Sequence, residues 1–166
     1  MKLFIIGYMG CGKSTIGKKI AHQLSLPFYD LDKEIEQKIQ YSIFDFFEKF
    51  GEAEFRKVEK DTLQMFLRTS EDCVIATGGG TPCFFDNMEN MLKNGVCVYI
   101  KKSPKLLANR LIQAKQKRPL IKNKTQEELL DFITKQLSVR EHYYGRAQFI
   151  VTENEIPIEM VKNYCK

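Results

Sequence analysis

Apolar residues in this chain fall into short unbroken runs separated by longer amphipathic stretches. Leu3–Ile6, Cys73–Ala76 and Val96–Ile100 are apolar throughout, without polar alternation, which is the pattern of strands covered on both faces. Pro27–Asp30 reads as a brief second strand and Gln148–Val151 as a last one. The segments between them carry helical spacing. Lys13–Leu24 predicts a helix, as does Lys33–Gln40, where Ile35 and Ile39 stand four apart. Ser42 is placed to cap a helix over Ile43–Phe50. Gly51 separates it from a longer one over Glu52–Arg68, with Phe55, Val58, Leu63, Phe66 and Leu67 on or near one face. Further helices are predicted at Phe84–Leu92, at Pro104–Ile112, at Gln126–Tyr143 behind a Thr125 cap, and at Ile158–Tyr164. Five short strands separated by helices predict an α/β fold of three layers, a five-stranded parallel sheet flanked by helices. Ligands of such sheets bind at the carboxyl ends of the strands, and the glycines and carboxylates collect there.

A length of 166 residues suits one domain with its own core, so a single domain over 1–166 is expected. No apolar run approaches the ~20 residues that cross a bilayer. The first strand begins at once, so no secretory leader is expected and a cytoplasmic protein is. Five cysteines (Cys11, Cys73, Cys83, Cys97, Cys165) include no C-x-x-C pair, and only His22 and His142 could join them. That argues against a zinc site or disulfide framework and for reduced thiols. The net charge of +5 is uneven: Lys101–Lys124 holds nine Lys or Arg and no acid. Such a run suits nucleic acid, a solvated surface, or a segment of about 112–124 closing as a lid over a bound phosphate. The lid is favoured, because the chain supplies a phosphate site of its own.

That site follows the first strand, as Gly7-x-x-x-x-Gly12-Lys13-Ser14 leading into a helix. Gly7, Gly10 and Gly12 let several N–H groups converge on one anion, and the helix adds the positive end of its dipole. Lys13 brings a cation to the β- and γ-phosphates and Ser14 a hydroxyl to Mg²⁺. Cys11, among those amides and beside Lys13, is in a setting that lowers a thiol's pKa, so a reactive cysteine is one expectation and a small packing residue the other.

Phosphate loops serve many reactions, and the rest of the chain narrows the choice. Asp30 and Asp32 are two apart, so in extended backbone both carboxylates project to one side. One can serve Mg²⁺ while the other orients or deprotonates an attacking hydroxyl; the plainer reading makes Asp32 a cap for the next helix. Arg56 and Glu59 are one helical turn apart, either a surface pair or an arginine held in place to fork a substrate carboxylate. Gly78-Gly79-Gly80 ends a strand and would let backbone N–H groups approach a ligand closely.

Gly7–Ser14, Tyr29-Asp30-Leu31-Asp32, Gly51-Glu52-x-Glu54-Phe55-Arg56-x-x-Glu59, Thr77–Gly80, Arg118-Pro119-Leu120 and Arg140-x-x-Tyr143-Tyr144 together resemble shikimate kinases in order and spacing, over nearly the whole chain. The resemblance implies a phosphate-loop NTPase fold of the nucleoside-monophosphate-kinase type. It implies phosphorylation of the 3-hydroxyl of shikimate by MgATP, in aromatic amino-acid biosynthesis. By the same resemblance Lys13, Asp32 and Arg118 are the catalytic set, with Asp32 binding the acceptor hydroxyls and acting as base. ATP would contact Gly10, Cys11, Gly12, Lys13, Ser14, Thr15, Arg110 and Arg118, with Arg110 stacked on adenine and Arg118 on the transferred phosphate. Shikimate would contact Asp32, Arg56, Gly78, Gly79, Gly80 and Arg140, the two arginines clamping its carboxylate. Mg²⁺ would be held by Ser14 and, through water, by Asp30. Phe47 and Phe55, which by pattern alone are core residues, match aromatic wall positions of the pocket. A core with substrate-binding helices at about 31–60, a monomer, and no nucleic-acid or membrane partner complete the expectation. Thr152–Pro157 is acidic where the family often carries a basic residue near adenine, so no contact is carried over there. A kinase for another polyol acid such as gluconate shares the need for a carboxylate clamp. A switch or RNA-binding protein gives no reason for Asp32, Arg56 and the triple glycine to coexist.

Overall fold

The structure is a computed structural model that describes residues 1–113, 124–152 and 159. Five strands, β1 (Lys2–Ile6), β2 (Phe28–Asp30), β3 (Cys73–Ala76), β4 (Val96–Ile100) and β5 (Phe149–Val151), form one parallel sheet in the order β2-β3-β1-β4-β5. The three apolar runs occupy its centre, and their residues from Leu3 onward are almost wholly buried. The shorter β2 and β5 form the edges. β5 starts one residue later than the apolar pattern predicts, because the Gln148 side chain, through its Oε1, accepts from the Cys97 N–H (2.7 Å).

The helices are α1 (Lys13–Leu24), α2 (Leu31–Ile39), α3 (Ile43–Arg68), α4 (Asn87–Asn94), α5 (Pro104–Gln113) and α6 (Gln126–Tyr144). Two predicted caps form as their chemistry dictates. Ser42 Oγ accepts from the Asp45 N–H, and Thr125 with Glu128 closes a reciprocal capping box. The two helices expected on either side of Gly51 run as one element broken by a kink, where Gly51 takes φ 81°, ψ 172°. Nothing lies within 4 Å of where its Cβ would stand, so the left-handed backbone alone asks for glycine.

Two helix starts differ from the pattern. α2 begins at Leu31, two residues early, which puts Asp32 inside its first turn. The helix expected from Phe84 starts only at Asn87, after a 3₁₀ turn (Thr81–Cys83), an extended Phe84, and Phe85 at φ 52°. The predicted helix at 158–164 and the segment 114–123 lie outside the described residues, apart from Glu159. No described helix is long and apolar enough to cross a membrane. With β1 at the centre, chain crossovers leave it in both directions, and the loops after β1, β2 and β3 face one crevice.

Candidate active site

That crevice is a cavity of about 710 Å³ with a phosphate-loop half and an acceptor half. On the first side Gly10, Gly12, Lys13, Ser14 and Thr15 line it. Lys13 Nζ is folded over the loop, donating to the Gly7 (3.0 Å) and Tyr8 (3.1 Å) carbonyls. Ser14 Oγ donates to Asp30 Oδ2 at 2.6 Å, so the end of β2 and the start of α1 present two hard oxygens together. From α5, Arg110 Nη1 donates to the Gly10 and Cys11 carbonyls (both 3.3 Å), fixing a guanidinium on the outer edge of the loop. Cys11 is otherwise than a reactive thiol requires. It is 1% exposed, and its Sγ lies 3.0 Å from the position a Gly7 Cβ would take.

Asp30 and Asp32 both line the cavity, but not by strand alternation. The cap position of α2 is Asp30, whose side chain is engaged with Ser14 and makes no capping bond, while Asp32 follows in the first helical turn. The reading of Asp32 as a helix cap therefore fails, because the helix begins ahead of it.

Arg56 is no surface residue. Its side chain is 7% exposed and that of Glu59 1%, with Nη1 donating to Glu59 Oε2 at 2.8 Å. Glu52, one turn earlier, accepts from Nη2 (2.9 Å) and Nε (3.2 Å). Burial pulls the guanidinium pKa down, but the Glu59 charge and the hydrogen bonds from Glu59 and Glu52 outweigh it, leaving Arg56 above its ordinary value. The other oxygen of Glu59 accepts from Thr81 Oγ1 at 2.6 Å, so both ends of a buried carboxylate are satisfied.

The triple glycine makes room for this network. A Cβ on Gly80 would stand 2.6 Å from both terminal nitrogens of Arg56. One on Gly78 would meet Glu59 Oε1 at 2.6 Å, with Asp32 Oδ1 and Thr81 Oγ1 each at 2.9 Å. Any side chain would displace charged groups, so close packing is reason enough for glycine here, beside the ligand approach expected from the motif.

From α6, Arg140 reaches the same cavity, donating from Nη1 to the Gly79 carbonyl (3.4 Å) with its Cζ 5.3 Å from the Tyr8 ring centroid. Tyr8 in turn donates to Gln136 Oε1 (3.0 Å), and the Tyr144 hydroxyl donates to the Gly79 carbonyl. Burial raises the Cys83 thiol to about 11 despite the nearby Arg140 and Arg56 charges. Phe47 and Phe55 line the cavity with their rings 4.6 Å apart.

The predicted residues Lys13, Ser14, Asp30, Asp32, Arg56, Gly78, Gly79, Gly80 and Arg140 thus surround one space. Arg118 and residues 153–157 lie outside the described residues. Thr81 and Phe84 belong to no motif read from the sequence, and Tyr144 stands in the Arg140-x-x-Tyr143-Tyr144 motif without an expected role, yet each touches a predicted site group; these contacts are long-range, which spacing along the chain does not reveal.

The family model for shikimate kinase matches residues 9–166. The chain belongs to the shikimate kinase family. The shikimate kinase of Bacteroides fragilis is 44% identical over 156 residues, covering 94% of this chain and 87% of the relative. Among solved structures, the shikimate kinase from Bacteroides thetaiotaomicron superposes with a TM-score of 0.87 at 40% identity, over 99% of this chain and 96% of the other. The one from Acinetobacter baumannii, solved in complex with shikimate, gives 0.83 at 30% identity, over 99% and 90%. The parallel sheet with flanking helices is therefore the fold of the shikimate kinases, and the activity is theirs: ATP-dependent phosphorylation of shikimate in aromatic biosynthesis.

Proposed function

We propose that the two halves of the cavity divide this reaction between them, with the γ-phosphate of ATP passing to the 3-hydroxyl of shikimate where they meet. The observation that carries the reading is the convergence of Lys13, Asp32, the Arg56–Glu59 pair and Arg140 on one cavity. Lys13 exchanges its two carbonyl partners for phosphate oxygens and stabilises charge as it moves from the γ- to the β-phosphate. Arg56 and Arg140 fork the shikimate carboxylate, while Gly79 and Gly80 meet the ring hydroxyls. Asp32 takes the proton of the 3-hydroxyl as that oxygen bonds to phosphorus; the bond to the bridging β–γ oxygen breaks and ADP leaves. Arg110 serves the nucleotide from the edge of the loop, and Arg118 is assigned to the transferred phosphate on the family pattern alone.

The hydroxyl of Ser14 and the carboxylate of Asp30 are hard oxygen donors of the type Mg²⁺ takes beside phosphate oxygens. They would hold it, Asp30 through water, and the ion would supply charge neutralisation on the phosphates. The enzyme works in this reading as a cytoplasmic monomer with no nucleic-acid or membrane partner. ADP release measured with shikimate, gluconate and AMP as acceptors tests it. Turnover with shikimate alone is expected; equal turnover with gluconate would overturn the acceptor assignment, and turnover with AMP the carboxylate clamp.

A further inference from the structure

The segment after the triple glycine bends in an unfavourable way. Phe84 is extended (φ −118°, ψ 144°) and Phe85 then takes φ 52°, a left-handed conformation that bulky residues rarely adopt. Phe85 itself gains little from the bend: it is 53% exposed, with Lys60 Nζ 4.9 Å from its ring centroid. The gain is one residue earlier. The Phe84 ring centroid lies 4.2 Å from Arg56 Cζ, closer than Phe55 at 5.3 Å or Phe47 at 6.0 Å. Phe84 is half-buried and is not among the residues lining the cavity, so it reaches the guanidinium without facing the acceptor.

We propose that Phe84 is a positioning residue that sets the affinity for the acceptor carboxylate through Arg56. Glu52 and Glu59 engage N–H groups at the edge of the guanidinium and fix its direction, but bonds at an edge restrain the tilt of the plane less than a group packed on its face does. An aromatic face against the cation limits that tilt, because the ring quadrupole attracts the charge most strongly over its centre. The ring also keeps water off the guanidinium, and a less screened cation attracts a carboxylate more strongly. The strained backbone at Phe85 is what turns Phe84 onto its target, a local cost that persists where surrounding structure requires it.

The inference rests on the reading that Arg56 binds the shikimate carboxylate, and steady-state kinetics can separate the two. Phe84→Leu keeps an apolar side chain but loses the π face. It should raise KM for shikimate roughly five- to thirty-fold, with kcat and KM for ATP within about two-fold of the parent. Phe84→Tyr should restore KM, and Phe85→Ala should leave it unchanged. An acceptor whose carboxylate is reduced to an alcohol should give the same KM with parent and Phe84→Leu. If Arg56→Lys raises KM for shikimate and Phe84→Leu does not, the proposal fails and the carboxylate reading stands. If neither variant changes KM, the carboxylate reading itself fails. A Phe84→Leu variant whose kcat and both KM values worsen together, unrescued by tyrosine, would make the ring a core filler and overturn the proposal.

Discussion

Neutralising Glu59 as Glu59→Gln is the sharpest perturbation the site offers. The substitution keeps shape and volume but removes the charge that faces Arg56 at 2.8 Å. The remaining carboxylate partner, Glu52, has a side chain 44% exposed, so solvent weakens its compensation of a guanidinium that is 7% exposed. Breaking a buried ion pair by removing one partner typically costs about 3–5 kcal/mol, because the other charge stays buried. With Glu52 retained, about 3 kcal/mol is the expected loss, a large part of the ~5–15 kcal/mol of a folded domain. For a chain of this size that lowers Tm by about 6–12 °C. Calorimetry and denaturant titration give the stability change, and shikimate titration gives the accompanying rise in KM. Replacing both partners, Arg56→Met with Glu59→Leu, should destabilise far less than the sum of the two single changes, since the only charge left without its partner, on Glu52, is partly exposed to solvent. A Glu59→Gln enzyme within ~0.5 kcal/mol of the parent, the range usual for surface substitutions, would refute the argument that this pair is buried and coupled. So would strict additivity in the double variant.

Lys13→Ala should lower kcat by ~10²–10³ with the fold retained by circular dichroism, as expected for loss of a preorganised charge at the phosphates. Asp32→Asn should lower kcat by ~10²–10⁴ while ATP still binds; a rise in KM for shikimate with kcat unchanged would make Asp32 a binding residue only. Cys11 and Cys97 should resist alkylation in the native enzyme at pH 8 and react on denaturation, by mass-spectrometric mapping, since both are buried and burial pushes the Cys97 thiol up to about 12. The sign follows from linkage: a thiol raised in the folded state stays protonated until the pH passes its folded value, so the reactive thiolate is scarce at pH 8.

The sheet could be read from the chain because its three central strands each carry an unbroken apolar run too short for a helix, the pattern of strands covered on both faces. Ser42 and Thr125 fixed their helix starts for equally local reasons. What escaped was decided at a distance. Asp30 occupies a cap position, yet its carboxylate accepts from Ser14, so the start of α2 carries no capping signal and the pattern leaves a cap as one of two readings of Asp32. The helix expected from Phe84 is delayed by a backbone bend whose visible gain is a contact with Arg56, 28 residues earlier in the chain. The spacing of Arg56 and Glu59 was plain, but their burial depends on Thr81 and on two glycines that no helical periodicity connects to them. Cys11 was left between two readings for a related reason: the loop motif says which amides converge, and not which way the intervening side chain turns, and its burial fits the packing residue.

Tyr8 belongs to the phosphate loop by sequence and to the acceptor clamp by contact, with Arg140 over its ring and Gln136 of α6 on its hydroxyl. Gly79 strengthens the same seam, receiving Arg140 and Tyr144 on its carbonyl, and a Cβ there would stand 3.1 Å from the Met9 amide nitrogen. The phosphate loop and the side chains proposed to hold the acceptor are therefore packed against each other in one seam. A substitution at Tyr8 would be filed by motif as a nucleotide defect, but with Arg140 in its proposed role the first casualty would be the grip on the shikimate carboxylate. Chemists who graft a new acceptor onto this scaffold inherit the same constraint: the phosphate loop has to be redesigned along with the pocket.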